Sequence, residues 1–467
     1  MRKVIFLLLD GARYDCLNKY LSLGYLPNLS KIIDNQGSNL SAISVFPSTT
    51  GPAYVPFLMG SYPGNINLPG IRWFDKIKFA ENKSNFEAHR SYVGIGSIFF
   101  NADLKKSKST IFEIIDESRS IFNEITRGIG PGHDITGMSK IYYKTKSHFA
   151  GSNAIDSVAM NKLVSLIDSK AEFIFCCLHG VDSNSHIYGF DHDVVVESYK
   201  NFDLNLGIIL SELEKLNQLD DTLLIVTSDH GHSNTATHID LVELLESQNL
   251  KVVSYPFIFN KYYQDVDAAV MVSGNSMAHI YLRNGLDWRQ RYVFKKTDEL
   301  FYNLLRTDGI DLLMTLNQKN QIVIKSDRGV ALLEEKENLI QYQPLNNDPF
   351  GYPQMNEFLS CEEILSQTYD TQYPDALTQI VQLFKSNRCG DIVVSADLGF
   401  DLRKQYEYPE HKSSHGSLHE DHMRVPLVVN KKIAERHIRT VDLFPTILDY
   451  LNKEIPNEID GKKLDVD

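Results

Sequence analysis

The chain has 467 residues, of which 43% are hydrophobic and 23% are charged, and its formal net charge is −13. This composition is ordinary for a soluble globular protein, and the acidic balance argues against long nucleic acid as a partner. The acidic net charge does not exclude small anionic substrates, because bound cations can reverse the local electrostatic field.

The N-terminal apolar run Val4–Leu9 is short and ends at Asp10. A secretory signal needs a longer apolar stretch, and a membrane-spanning helix needs about 20 apolar residues. Five cysteines, an odd count, give no disulfide framework. We therefore expect a cytoplasmic protein without a membrane span, although export without a cleaved signal would leave no trace in the sequence.

Short apolar runs recur along the chain and predict buried strands of a mostly parallel sheet: Val4–Leu9, Phe173–Leu178, Leu223–Thr227, Ile392–Ser395 and Val425–Val429. Helical patterns lie between them, at Ala154–Leu166, Phe202–Leu216 and Ile239–Gln248. This alternation predicts an α/β fold whose mostly parallel central sheet is flanked by helices.

Residues 251–388 have a different pattern, with apparent strands separated by turn residues: Ala278–Leu282, Ile322–Ile324, Gly329–Leu333 and Leu339–Tyr342. We interpret this segment as an inserted smaller α+β region or cap. It would separate the first part of a catalytic core, 1–250, from its last part, 389–467. The weakly patterned stretch Lys76–Tyr143 is expected to cover the rim of the site.

Polar residues follow three of the predicted strands directly, and we expect them to converge because ligands bind beyond the carboxyl ends of strands in open α/β sheets. Carboxylates and imidazoles suit zinc and related divalent metals. Taken singly, each Asp fits a turn or helix cap and each His a packed or exposed side chain. The candidate metal ligands fall into two sets: Asp182, His186 and His415, then Asp10, Asp229 and His230.

The spacing of Asp182 and His186 is compatible with one helix face or with a tight loop around a metal.

A candidate nucleophile lies in the segment Phe46–Tyr54, which holds Ser48, Thr49 and Thr50. A threonine hydroxyl becomes reactive when a divalent cation lowers its pKa, and a helix N-terminus favours an anion nearby. The alternative is that one of these hydroxyls simply caps a helix through Tyr54–Met59.

Together these motifs resemble the alkaline phosphatase superfamily, and within it the nucleotide pyrophosphatase/phosphodiesterase branch. They occur in the family's order and span nearly the whole chain. The segments that carry the resemblance are Val4–Gly11, Phe46–Pro52, Met59–Pro63, Asp182–His186, Val226–Gly231, Ser414–Gly416, Arg439–Ile447 and Asp460–Gly461.

The resemblance implies two zinc ions, with manganese as an alternative, each held by one of the ligand sets. Thr50, which precedes Gly51 and Pro52, would be the nucleophile bound to the second zinc, and Thr49 ranks behind it. The implied reaction is metal-dependent hydrolysis of a small phosphate ester or nucleotide-like diester through a phosphothreonine. A phosphomonoesterase with the same metals, or an inactive binding protein of the same fold, are the alternatives. The oligomeric state is not readable from the sequence.

One departure concerns the asparagine that this branch places about 21 residues after the nucleophile. The neighbourhood here is Pro69–Asp75, where Arg72 is the candidate phosphate-binding residue because a guanidinium offers bidentate donors. Trp73 and Phe74 fit core packing better than substrate stacking. The remaining candidates for supporting roles at the site are His232, His238, His419, Asp421, His422, Asn275 and His279.

Overall fold

The computed structural model describes residues 2–140, 142–143, 146, 153–256, 265–295, 299–405, 407–434 and 436–467. The strands in this range are, in chain order, β1 Lys3–Leu9, β2 Ser38–Ile43, β3 Arg72–Phe74, β4 His89–Ser91, β5 Ser118–Ile121, β6 Phe173–Leu178, β7 Thr222–Thr227, β8 Ser233–His238, β9 Val252–Ser254, β10 Ala268–Ser273, β11 Met277–Leu282, β12 Ile310–Leu316, β13 Ile322–Lys325, β14 Val330–Lys336, β15 Leu339–Pro344, β16 Phe358–Leu359, β17 Ile392–Ala396, β18 Gly399–Asp401, β19 Ser413–Ser414, β20 Arg424–Val429 and β21 Ile438–Arg439.

The α-helices in the same range are α1 Tyr14–Ser22, α2 Pro27–Asp34, α3 Val55–Met59, α4 Lys76–Glu81, α5 Phe100–Asp103, α6 Ile111–Ile114, α7 Asn153–Val164, α8 Gly180–Tyr188, α9 Asp193–Lys215, α10 Leu241–Glu246, α11 Glu299–Leu305, α12 Cys361–Thr368, α13 Ala376–Phe384, α14 Glu420–Met423 and α15 Leu443–Tyr450. Short 3₁₀ turns occupy Pro52–Tyr54, Gly64–Ile66, Phe86–Ala88, Gly94–Phe99 and Thr440–Asp442. Among the described helices, none combines the length and the apolar character needed to cross a membrane.

The central sheet has seven strands in the order β21-β2-β20-β7-β1-β6-β5. Strand β1 pairs in parallel with both β6 and β7, whereas β20 runs antiparallel to β2 and β7. Every residue of β1, β6 and β7 is buried, as expected for strands covered on both faces. Helix α7 packs against β6 and α9, and α1 packs against β20. The predicted α/β fold with a mostly parallel central sheet is therefore confirmed.

A second sheet of nine strands has the order β16-β15-β14-β13-β12-β17-β11-β10-β9. Its strands include the predicted ones at β11, β13, β14 and β15. The prediction that Ile392–Ser395 belongs to the mostly parallel sheet is wrong, because this strand is β17, antiparallel to β11 and β12. A short, fully buried apolar run has the same pattern in either sheet, so the pattern does not identify its partners. The sheet extends past residue 388, and the division into 1–250, 251–388 and 389–467 stays a prediction.

Polar residues at the ends of β1, β6 and β7 meet at one edge of the central sheet. Leu9 is paired with Leu178, and Leu8 with Thr227, so that the residues which follow these strands are neighbours. This is the convergence expected at the carboxyl ends of parallel strands. A small third sheet, β18-β8-β19, continues from β7 and lies beside this edge.

Candidate active site

Thr50 lies among three of the predicted ligands of the second set. Its Oγ1 atom is 3.2 Å from Asp10 Oδ1 and 3.1 Å from His230 Nε2. The same His230 nitrogen is 3.5 Å from Asp10 Oδ1 and 3.4 Å from Asp229 Oδ2. Asp10, Asp229 and His230 are almost completely buried, whereas Thr50 is half-buried. Thr50 is therefore the most exposed residue of this group.

The loop that carries Thr50 does not use a side chain to cap a helix. Gly51, with φ +93°, precedes the 3₁₀ turn Pro52–Tyr54, and the start of neither that turn nor α3 receives a side-chain hydrogen bond. The interpretation of this hydroxyl cluster as an N-cap is therefore wrong. Thr49 is buried, and its carbonyl accepts from the backbone N–H of Ala53.

The first ligand set gathers around Asp182. This residue and His186 lie one turn apart on α8, which decides between the helix and loop alternatives for their spacing. Asp182 Oδ1 is 3.3 Å from His186 Nε2 and 3.8 Å from His415 Nε2. It is also 2.8 Å from His232 Nε2, and the ligand atoms of these four residues all lie within 4.8 Å of one another. His232 therefore joins the predicted set as a fourth member.

The two sets adjoin each other. The rings of His230 and His415 stack with centroids 3.7 Å apart, and ligand atoms of Asp10, Asp182 and His230 also lie within 4.8 Å of one another. The three predicted ligands His186, His230 and His415 each have their other ring nitrogen on a backbone carbonyl, which orients the ring and directs Nε2 inward. These contacts are His186 Nδ1 with Ser413 O at 2.8 Å, His230 Nδ1 with Gly231 O at 3.0 Å, and His415 Nδ1 with Ser48 O at 2.9 Å.

The chemistry of this edge fits divalent metal ions. Asp229 Oδ2 is buried and, among the described residues, has no hydrogen-bond partner, so it offers a free carboxylate oxygen. Burial, followed by repulsion from Asp10 and Asp182, raises the pKa of Asp229 well above its usual range. Three carboxylates in a buried cluster require compensating positive charge. Mixed oxygen and imidazole donors are what zinc and manganese accept.

Burial and neighbouring charges also shift the pKa values of Asp182 and of the two histidines beside it. Burial opposes its charge, but the neighbouring His186 and His232 hold the pKa of Asp182 well below its usual range. Burial also disfavours the charged imidazole, yet Asp182 raises the pKa of His186 to about 9. For His232 burial prevails and lowers the pKa to about 4. A neutral imidazole beside an ionised carboxylate is the state in which both groups can bind a metal.

His179 is a site residue that the sequence analysis did not select. Its Nδ1 atom is 2.8 Å from Asp10 Oδ2, while its Nε2 atom is buried without a hydrogen-bond partner among the described residues. It follows β6 as Asp10 follows β1, and these strands pair at Leu9 and Leu178. The neighbourhood of Asp10 and His179 could have been read from the sequence only by assuming that β1 and β6 are adjacent.

Arg72 has a different environment. One of its terminal nitrogens donates to Val272 O at 2.9 Å, and its Nε atom is buried without a hydrogen-bond partner among the described residues. Its guanidinium lies 5.8 Å from the Tyr255 ring and lines a cavity of about 30 Å³ together with Arg403. Burial, with Arg403 adding to it, lowers the pKa of Arg72 to about 9. None of its described contacts is to Thr50 or to a predicted metal ligand, so its role stays a prediction.

Several other candidates have structural contacts. Trp73 donates to Tyr92 through its ring N–H, and Phe74 packs against Trp288, so the packing interpretation of both is confirmed. His279 is buried between Pro69 and Gly390. The others have contacts in neighbouring loops: His422 with Ser233 and Ser417, Asp421 with Arg13, His419 with the backbone of Asp421, and both Asn275 and His238 in a cluster around Asp401.

The family model described as Type I phosphodiesterase / nucleotide pyrophosphatase matches residues 4–418. The chain belongs to this family. The match contains both ligand sets and Thr50, and it confirms the resemblance inferred from the motifs. A curated relative is the bis(5'-adenosyl)-triphosphatase enpp4 of Xenopus laevis, 25% identical over 236 residues, 49% of this chain. The chain matches about half the length of that relative, 47%.

Several solved structures share the fold of this chain at low sequence identity. Murine ectonucleotide pyrophosphatase / phosphodiesterase 5 is 16% identical with a TM-score of 0.58, and the match covers 98% of each chain. A structure of an inactive form of that murine protein in complex with AMP is 15% identical, with the same TM-score and coverage. Phosphonoacetate hydrolase of Sinorhizobium meliloti 1021, in complex with phosphonoformate, is 16% identical with a TM-score of 0.58, covering 96% of this chain and 95% of that one.

Proposed function

We propose that this protein hydrolyses small phosphate diesters of the nucleotide type with two divalent metal ions and Thr50 as nucleophile. The observation that carries the proposal is the position of Thr50 Oγ1, within 3.2 Å of both Asp10 Oδ1 and His230 Nε2 and beside the second ligand set. Asp182, His186 and His415 would hold one ion, with His232 orienting Asp182 at 2.8 Å. Asp10, Asp229 and His230 would hold the other ion. Zinc is the first choice for both ions and manganese the alternative.

The reaction would proceed in two displacements at phosphorus. The Thr50 oxygen forms a bond to phosphorus, the bond to the leaving oxygen breaks, and the leaving group takes up a proton equivalent to the one lost by the hydroxyl. Water then attacks the phosphothreonine, the bond from phosphorus to Oγ1 breaks, and Thr50 regains its proton. Bound divalent ions would lower the pKa of the hydroxyl and neutralise charge on the phosphate.

The surrounding residues would prepare these steps. His179, 2.8 Å from Asp10 Oδ2, would orient the carboxylate that faces Thr50. Gly51 would turn the chain so that the hydroxyl faces the ligands. We propose Arg72 as a phosphate-binding residue that reaches the substrate only in the complex, since its Nε atom has no partner among the described residues.

The substrate class is proposed from the family and its relatives, because a nucleotide-like diester suits a chain related to a dinucleoside triphosphatase and to a protein solved with AMP. The net charge of −13 argues against long nucleic acid. A reducing compartment such as the cytoplasm is proposed as well, since an odd count of five cysteines gives no disulfide framework.

Hydrolysis of bis-p-nitrophenyl phosphate and of p-nitrophenyl phosphate, measured side by side, tests this function. We expect the diester to be the better substrate, chelation to abolish its hydrolysis, and zinc or manganese to restore it. A preference for the monoester would replace the diesterase with a phosphomonoesterase that uses the same residues. Full activity after exhaustive chelation, or no hydrolysis of either ester by metal-loaded protein, would overturn the proposal.

A further inference from the structure

A second cluster of metal-binding side chains lies outside the ligand sets described above. It consists of His238 at the end of β8, Asp401 at the end of β18, and Glu407 in the following loop. Asp401 and His238 are register partners of the paired strands β8 and β18, which explains their proximity across more than a third of the chain. Their ligand atoms and that of Glu407 all lie within 4.8 Å of one another.

The distances in this cluster fit a metal ion. His238 Nδ1 is 3.2 Å from Glu407 Oε2 and 3.9 Å from Asp401 Oδ2. Ligands bound at about 2.0–2.2 Å from one ion are separated by roughly 2.8–4.4 Å, depending on the angle at the metal. The Nε2 atom of His238 is 3.2 Å from Glu410 Oε1, the arrangement in which a carboxylate orients a metal-binding imidazole.

Of the four carboxylate oxygens of Asp401 and Glu407, three accept hydrogen bonds from protein donors or face a histidine, and Glu407 Oε2 accepts none among the described residues. Asn275 Nδ2 donates to Asp401 Oδ2 at 2.8 Å and to Glu407 Oε1, and the backbone N–H of Arg403 donates to Asp401 Oδ1. Glu407 Oε2, in contrast, is aimed at His238 and has no hydrogen-bond partner among the described residues, although its side chain is only 2% exposed. A cation beside this oxygen would compensate for the donor that it lacks.

The two carboxylates lie side by side and are shielded from solvent, because the side chains of Asp401 and Glu407 are only 0% and 2% exposed. A divalent ion would stabilise two buried carboxylates in their ionised form.

We propose that His238, Asp401 and Glu407 form a third divalent-cation site, occupied by zinc or manganese. The site adjoins the first ligand set, because His411, 3.2 Å from Glu407 Oε1, packs its ring at 4.1 Å from that of His186. An ion there ties β8 to β18 and to the loop around Glu407, and so stabilises the small sheet whose strands β8 and β19 adjoin His232 and His415.

Metal counting after equilibrium dialysis against zinc, and separately manganese, tests the site in the full chain. We expect about three ions per chain in the wild type and about two in Glu407→Gln, which removes one charge with little change in shape. His238→Gln should lose the same ion, which keeps the test decisive if one variant folds poorly. Glu454→Gln, at an exposed position, is the matched control and should keep all three.

The outcomes separate this site from the proposed function. Retention of diester hydrolysis with two ions in Glu407→Gln would support the third site, whereas loss of one ion without any hydrolysis in the wild type would support the site and overturn the function. The site would be overturned if Glu407→Gln and His238→Gln bound as many ions per chain as the wild type, in zinc and in manganese alike. That result would assign the cluster to a protonated His238 paired with carboxylates.

Discussion

Thr50 Oγ1 lies 3.1 Å from His230 Nε2, although 180 residues separate the two in the chain. Thr50 comes from the loop before a 3₁₀ turn, and His230 from the turn that follows the central strand β7. The other ring nitrogen of His230 contacts Gly231 O at 3.0 Å, which orients the ring. A half-buried hydroxyl is thus held against a fixed imidazole, at the point where the two ligand sets adjoin.

This relationship predicts the behaviour of variants at Thr50. Thr50→Ala should reduce turnover of the diester by several orders of magnitude and keep most metal binding, because the attacking oxygen is removed while Asp10, Asp229 and His230 remain. Thr50→Ser keeps the hydroxyl and should retain measurable activity. Thr49→Ala, in a buried neighbour, is the matched control and should affect stability more than turnover. Steady-state kinetics and metal analysis of the three variants check this, and wild-type turnover in Thr50→Ala would contradict it.

His232 should contribute to metal affinity at the first ligand set. It is buried, and its Nε2 atom is 2.8 Å from Asp182 Oδ1. His232→Ala should lower the affinity for the ion at the first ligand set by about 10–100-fold, the effect typical of lost ligand-orienting contacts. The affinity for the ion at the second set should stay unchanged. Competition with a chelating dye measures both affinities. His437→Ala, at an exposed histidine, is the control, and unchanged affinity for both ions in His232→Ala would show that His232 only packs.

Arg72 is the least constrained of the proposed catalytic residues. If it binds phosphate in the transition state, Arg72→Ala should lower kcat by about 10²–10³-fold, and Arg72→Lys should restore part of the loss because a point charge does not reproduce the guanidinium fork. Arg388, whose guanidinium lies 3.9 Å from the Trp73 ring, is the matched control. Arg388→Ala should lower the melting temperature and keep kcat. The same pattern in Arg72→Ala would assign Arg72 to packing against Val272.

Asp156 should make stability depend on pH in an unusual direction. Its carboxylate accepts from the backbone N–H groups of His179 and Gly180, at the start of α8, but burial raises its pKa to about 7. The folded state therefore binds a proton that the unfolded chain releases near pH 4, and the resulting stability is lost as the pH rises to about 7.

Urea unfolding of metal-free protein at pH 5 and pH 8 measures this effect. The wild type should lose more free energy of unfolding between the two pH values than Asp156→Asn, in which position 156 cannot ionise. The comparison of the two pH dependences removes the constant effect of changing a hydrogen-bond acceptor. An equal or larger loss in Asp156→Asn would contradict the raised pKa.

The central sheet was predictable because its strands β1, β6 and β7 are buried on both faces and therefore continuously apolar. Strand β17 has the same apolar pattern, but its partners β11 and β12 lie in the other sheet. The edge strand β5, with the sequence SRSI, has no apolar run and was not predicted. Strand pairing depends on tertiary contacts that periodicity does not contain.

The ligands that follow strand ends, such as Asp10 and Asp229, were predictable because topology brings those ends together. His179 and His232 were not assigned contacts, since these depend on strand register and on the direction of a turn. The third cluster depends on the pairing of β8 with β18, which joins His238 to Asp401. The role of Arg72 was predicted from its distance in sequence to Thr50, and that distance does not determine which cavity its side chain lines.

Acid quenching during steady-state turnover of a phosphorus-labelled diester, followed by peptide mapping, tests the covalent mechanism most directly. The account predicts phosphate on the peptide that contains Thr50, located to that hydroxyl, and no label in Thr50→Ala. Label on Thr49 would move the nucleophile by one residue and keep the mechanism. Absence of any phosphopeptide while the wild type turns over, together with wild-type turnover in Thr50→Ala, would contradict threonine catalysis and favour direct attack by water.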